Sequence, residues 1–141
     1  MTPLDQRLYR IVTASTAPVW LAMLVAPRAP LTARVVAAGR PLQIGLAGLY
    51  VGLLASTVGR GERVSFGDGD SVRRGLLQPR GFLAAWAHMV TLDLVTGEVV
   101  WRRGLTEGRD TRMALLATWF AGPTGLLVDA AAGARRRRRS A

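Results

Sequence analysis

Residues 82–101 read FLAAWAHMVTLDLVTGEVVW, and this stretch decides the fold. Its length is close to the about 20 apolar residues that span a hydrocarbon core about 30 Å thick. Unlike an ordinary apolar span, it carries His88, Asp93 and Glu98. An ionised carboxylate at the centre of a membrane helix costs at least about 2.5–3.5 kcal/mol. Asp93 is therefore expected to face other helices, hydrogen-bonded or protonated, and this segment is where function is sought.

Three further apolar stretches surround it. Residues 8–26 form the first expected helix, with Arg10 near its start sending its guanidinium to the headgroups while its stem stays in lipid. Pro27-Arg28-Ala29-Pro30 stops it, and the absence of a small-x-small cleavage site reads it as a retained helix rather than a signal peptide. Residues 41–58 open on Pro41, a good first-turn residue. Residues 113–132 are interrupted by Gly122-Pro123-Thr124-Gly125, where the missing amide of Pro123 predicts a kink. The expectation is an all-α protein, an integral membrane bundle of four transmembrane helices over residues 1–133. A basic cytoplasmic tail, 134–141, follows it. The longest connector, 59–81, reads as loop with an exposed turn at Gly67-Asp68-Gly69-Asp70.

At 141 residues there is room for one domain, and 50% hydrophobic residues with positive mean hydropathy are unusual beside 19 basic side chains. All 19 are Arg, against nine acids, and five of them form the run 135–139. Charge placed beside apolar segments, without a helix-turn-helix, zinc spacing or ribonucleoprotein motif, argues against nucleic acid and for anionic membrane lipids as partners. With no cysteine and the single histidine His88, disulfides, thiolate nucleophiles and a histidine-rich metal site are excluded, and no cofactor is indicated. In a four-span topology 12 arginines fall on the side of the termini and seven on the other. The positive-inside rule then predicts a multi-pass cell-membrane protein with both termini cytoplasmic.

At a rise of about 1.5 Å per residue, distance from each helix midpoint predicts which polar groups meet. Asp93 falls near the midplane with Tyr50 and with Ser15 or Thr16, and His88 about a turn away, level with Thr13. Arg10 and Asp129 share a depth that allows them to pair, and Glu98 lies near Gln43 with Arg102 four residues on, a favourable helical order. Trp86, Asp93 and Gly97 share one helical face, whereas His88 lies about 140° round from Asp93.

Pro18-x-Trp20 with Pro27-Arg28, Trp86-x-His88 with Asp93-Leu94-x-x-Gly97, and Phe120-x-Gly122-Pro123-x-Gly125-Leu126-Leu127 together resemble the abscisic-acid-deficient-four-like (ABA4-like) family. The resemblance covers nearly the whole chain apart from the long connector and the arginine tail. It implies a small multi-helix membrane protein, here a bacterial member, whose plant relative is required in plastid membranes for making the xanthophyll neoxanthin from violaxanthin. Two positions depart from the pattern: Glu98 stands where bacterial members carry Arg, and Ser15-Thr16 replace an Asn.

Two readings follow. In the first, the chain takes part in carotenoid (xanthophyll) modification on a carotenoid-like apolar substrate. Opening an epoxide needs proton donation to oxygen and proton removal from carbon, with Asp93 as acid and His88 as base. Tyr50, Trp86, Trp20 and Trp119 would line the apolar slot. In the second, Asp93 and His88 hold the bundle together and the tryptophans are packing or interface residues. The chain is then a non-catalytic assembly, lipid-binding or pigment-binding protein. Glu98, Asp129 and Arg10 read as interfacial anchors. The Gly48-xxx-Gly52 pair permits close helix approach, within the bundle, in a homo-oligomer or against other membrane proteins.

Overall fold

The computed structural model describes residues 1–58 and 65–140. The start of the long connector, with Arg60 and Arg63, lies outside the described residues. Every regular element described is helical: α1 (Pro3–Ser15), α2 (Ala17–Val25), α3 (Pro30–Val58), α4 (Gly69–Leu77), α5 (Pro79–Thr106), α6 (Arg112–Ala121) and α7 (Thr124–Ser140). The break between α1 and α2 follows from Pro18, which lacks the amide that would continue the helical ladder. Pro41, by contrast, sits inside α3, so that helix begins eleven residues earlier than the first-turn reading of Pro41 placed it.

The connector also holds a helix that the sequence reading missed. The Asp68 carboxylate accepts hydrogen bonds from the backbone N–H of Asp70 and Ser71 at 3.2 and 3.1 Å, an N-cap that starts α4 where only a turn was expected. The helix ends at Gln78, whose backbone is extended ahead of Pro79.

The chain forms two compact units, residues 1–15 with 41–91 and residues 16–40 with 92–141. The core of the first is Val12, Leu46 and Ala87, packed by Leu8, Leu42, Leu49 and Val90. The second is centred on Trp20, Met23, Leu94, Val100 and Leu115, each at most 1% exposed.

Among the described residues two segments are long and apolar enough to cross a membrane: Pro3–Val25, with 23 residues, and Pro79–Thr106, with 28. On α5, Met89, Leu92, Val95 and Val99 form an exposed apolar stripe, while Leu83, Ala87, Leu94 and Val100 are buried. A helix apolar on both faces suits a surrounding of lipid.

The stretch 113–132 is not one continuous helix. Gly122 closes α6 with φ 52° and ψ −113°, a conformation open to glycine, and its N–H bonds Thr118 O at 2.8 Å. After Pro123, α7 turns back onto α6 so closely that a Cβ on Gly125 would collide with the Thr118 hydroxyl and lie 2.5 Å from Ala114 O. The Pro123 kink is therefore a full reversal. With 10 residues α6 is only about 15 Å long, half the hydrocarbon thickness.

Candidate functional site

In the first unit a cavity of about 360 Å³ is walled by α3, α4 and α5. Leu54 and Thr57 come from α3, Val72 and Leu76 from α4, and Ala84 and Ala85 from α5. Helix α4 closes onto α5 because Gly81 has no side chain: a Cβ there would collide with the Gly75 carbonyl oxygen. The Thr57 hydroxyl is turned to its own helix, donating to Leu54 O at 2.7 Å, which leaves the lining largely apolar. Two polar rings remain. Tyr50 and His88 both line the cavity, their centroids 5.0 Å apart and the planes tilted by 39°. Tyr50 is half-buried and His88 exposed, so the cavity opens outward at the imidazole.

Trp86 belongs to a different group of the same unit. Its Nε1–H donates to Thr13 Oγ1 at 2.9 Å, and the Thr13 hydroxyl donates to Tyr9 O at 2.9 Å. Its ring lies 5.2 Å from Tyr9 and 6.3 Å from Phe82. Trp86 is thus held as part of an aromatic cluster and does not line the cavity.

Asp93, Trp20 and Trp119 lie in the second unit. Trp20 is 1% exposed and stacks on Trp119 with planes 3° apart and centroids 5.8 Å apart. Gly97 makes room for the pair, since a Cβ there would come within 2.5 Å of Trp20 Cη2. Asp93 stands near the middle of α5 beside the turn of the α6–α7 hairpin. Its Oδ1 is 3.0 Å from where a Cβ on Gly122 would lie, and no hydrogen bond reaches its carboxylate from the described residues.

An ionic cluster lies at the base of that hairpin. Asp129 is 1% exposed, and within its unit it is held by Arg103 and Arg109. Oδ2 accepts from Arg103 Nη1 at 2.8 Å, and Oδ1 lies 2.8 Å from Arg109 Nη2. The second approach is close but badly angled, leaving Oδ1 and the buried Arg109 Nη1 without a straight hydrogen bond. Burial opposes the charge on Arg109, but hydrogen bonds to Glu107 and Asp129 outweigh it and hold the guanidinium above its ordinary range. Two more arginines satisfy helix ends and loop carbonyls: Arg112 donates to Leu24 O at 2.9 Å, and Arg136 to Glu107 O. Arg136, in the arginine-rich end of α7, thus sits beside the 102–112 loop. Glu98 accepts from Arg102 at 2.7 Å, the pair its i, i+4 spacing predicted.

Among the described residues no three His, Asp or Glu side chains converge as metal ligands. No curated protein and no solved structure matches this chain. The family profile described as ABA4-like, ABA DEFICIENT 4-like, matches residues 7–128 and so takes in both candidate helical spans almost entirely, Tyr50, His88 and Asp93. The chain belongs to the ABA4-like family.

Proposed function

We propose that this chain is a multi-pass membrane protein that receives part of a carotenoid-like apolar molecule in the Tyr50–His88 cavity and takes part in its modification. The observation that carries this reading is the cavity itself: an apolar lining, a size within the usual range for small-ligand pockets, and an imidazole and a phenol at one wall. Its volume suits one end group of a long polyene, the remainder lying along the apolar outer faces of the helices in lipid. Chemistry on an oxygenated end group needs a proton delivered to oxygen and one removed from carbon. His88 is the base of this proposal and Tyr50 the hydroxyl that orients the end group. The Tyr50 hydroxyl also supplies the proton to oxygen in this proposal, and Asp93, which belongs to the second unit, is given no role in it.

The membrane assignment rests on the two candidate spans and on the large apolar side chains turned outward. With the arginine tail grouped beside the 102–112 loop, the arginines of 28–40, 102–112 and 135–139 number 12. We assign the cytoplasmic side to that end of the second unit.

The test is co-purification. Chain expressed in carotenoid-containing membranes and purified in mild detergent is expected to carry a polyene absorption band. Ala85→Leu, which fills the cavity, should remove the band, whereas His88→Ala should retain it and abolish turnover. A binder without chemistry would keep the band and show no turnover in wild type. Wild type without any band, or with one that Ala85→Leu leaves intact, contradicts the cavity assignment.

A further inference from the structure

The second unit holds another cavity, of about 280 Å³, walled by the 26–29 turn, the end of α5 and the 109–112 loop. Its lining contains three arginines, Arg28, Arg109 and Arg112, against one carboxylate, Asp110. Arg109 is paired with Glu107 and Asp129, but Arg28 and Arg112 have no carboxylate at hydrogen-bond distance among the described residues. Arg28 donates only to a backbone carbonyl, Gly108 O, at 3.3 Å. Arg112 donates to Leu24 O and Val25 O at 2.9 and 3.4 Å, and its nearest carboxylate oxygen, on Asp110, is 3.7 Å away. Both side chains are at least half exposed or open to the surroundings.

Two donors in the same wall have no acceptor among the described residues, and one of them, Arg109 Nη1, is buried. Thr111 is 6% exposed, yet its hydroxyl has no hydrogen-bond partner among the described residues. The Arg109 side chain is 9% exposed, and its Nη1 is buried without a partner. A buried donor without an acceptor, as at Arg109 Nη1, is costly, and native structures rarely keep one. Guanidinium groups set about a small cavity with a hydroxyl are the donor set that recognises a phosphate oxyanion. Trp101 and Leu105 complete the lining with apolar surface. Trp101 has its indole N–H fixed on Pro27 O at 2.8 Å, and tryptophan favours the level of the headgroups.

The geometry points to a binding site for a phosphate oxyanion, with a lipid phosphodiester as its source and Arg28, Arg112 and Thr111 as its donors. Arg109 stands behind them, fixed by Asp129 and Glu107, and supplies charge to the wall. The site is distinct from the Tyr50–His88 cavity and does not rest on the function proposed for it.

The test uses the full chain in a neutral detergent. Its thermal unfolding is followed on titration with phosphatidylglycerol, with a diacylglycerol of the same acyl chains, and with inorganic phosphate. Phosphatidylglycerol is expected to raise the unfolding temperature saturably where diacylglycerol does not. Arg28→Gln should weaken the apparent affinity about tenfold, and Arg28→Gln with Arg112→Gln further. Arg34→Gln, which removes the same charge outside the cavity, should bind as wild type does. If the double variant fails to accumulate, Arg28→Gln and Thr111→Val carry the comparison. A response to inorganic phosphate in place of phosphatidylglycerol assigns the same donors to a free anion. Equal responses in Arg28→Gln and Arg34→Gln, or none to either phosphate probe in wild type, overturn the site.

Discussion

The two units solve the problem of polar groups among apolar helices in opposite ways. The second unit ties most of its helix ends and one buried carboxylate to arginines: Asp129 lies between Arg103 and Arg109, loop and helix-end carbonyls take Arg112 and Arg136, and the Trp20–Trp119 stack fills the space above Gly97. The first unit leaves His88 and Tyr50 at the edge of an empty apolar space and fixes its other aromatic rings away from it. A region tied by ion pairs across its helix ends is built chiefly to hold shape. A region that keeps an imidazole open to a cavity is built to receive something.

The contrast breaks most readily at Asp129. Asp129→Ala leaves two guanidiniums at the hairpin base without their carboxylate. Losing one partner of a buried ion pair costs about 3–5 kcal/mol, so unfolding in detergent should show a loss of that order. A near-neutral result would mean that the cluster does not hold the hairpin. Gly125→Ala should cost about 1–3 kcal/mol, the range for overpacking, because the new methyl meets Thr118 and the Ala114 carbonyl. A continuous helix at this point would instead gain from the substitution, so the sign alone separates the two structures.

In the first unit the effects are smaller. Trp86→Phe removes the bond to Thr13 and should cost about 1 kcal/mol. Ala85→Leu grows toward the cavity and should change stability by less than about 1 kcal/mol while removing ligand. A large stability loss there would show that the space is packing slack rather than a site. The chain has no cysteine, which makes one further test clean. Single cysteines at Asp110 and Arg138 should be labelled by an impermeant thiol reagent from the same side of the membrane. Labelling from opposite sides would restore a fourth crossing.

Helical class was legible because an apolar stretch of spanning length has few alternatives in structure. The Glu98–Arg102 pair was legible because it is local to one helix. The hairpin was not: Gly-Pro marks an interruption, but a kink and a reversal differ in whether Gly125 packs on Thr118, a contact between helices that periodicity does not contain. Read as one continuous helix, the stretch gives no sign that Asp129 meets Arg103 and Arg109. Helix α4 was hidden by composition, since Gly67-Asp68-Gly69 looks like a turn although Asp68 is a cap with Val72 and Leu76 spaced on one face behind it. Of the six candidate site residues, Tyr50 and His88 meet at the cavity. Trp20 and Trp119 stack on each other, Trp86 bonds Thr13, and Asp93 lies against the hairpin turn. Large aromatic side chains in an apolar segment carry no signal that separates lining from packing.

The most direct test of the cavity assignment is the pigment profile of membranes from the native host without this protein, complemented by wild type, His88→Ala or Ala85→Leu at equal accumulation. The account predicts a xanthophyll that changes on deletion, returns with wild type and does not return with either variant. An unchanged profile on deletion, or full restoration by both variants, would contradict it.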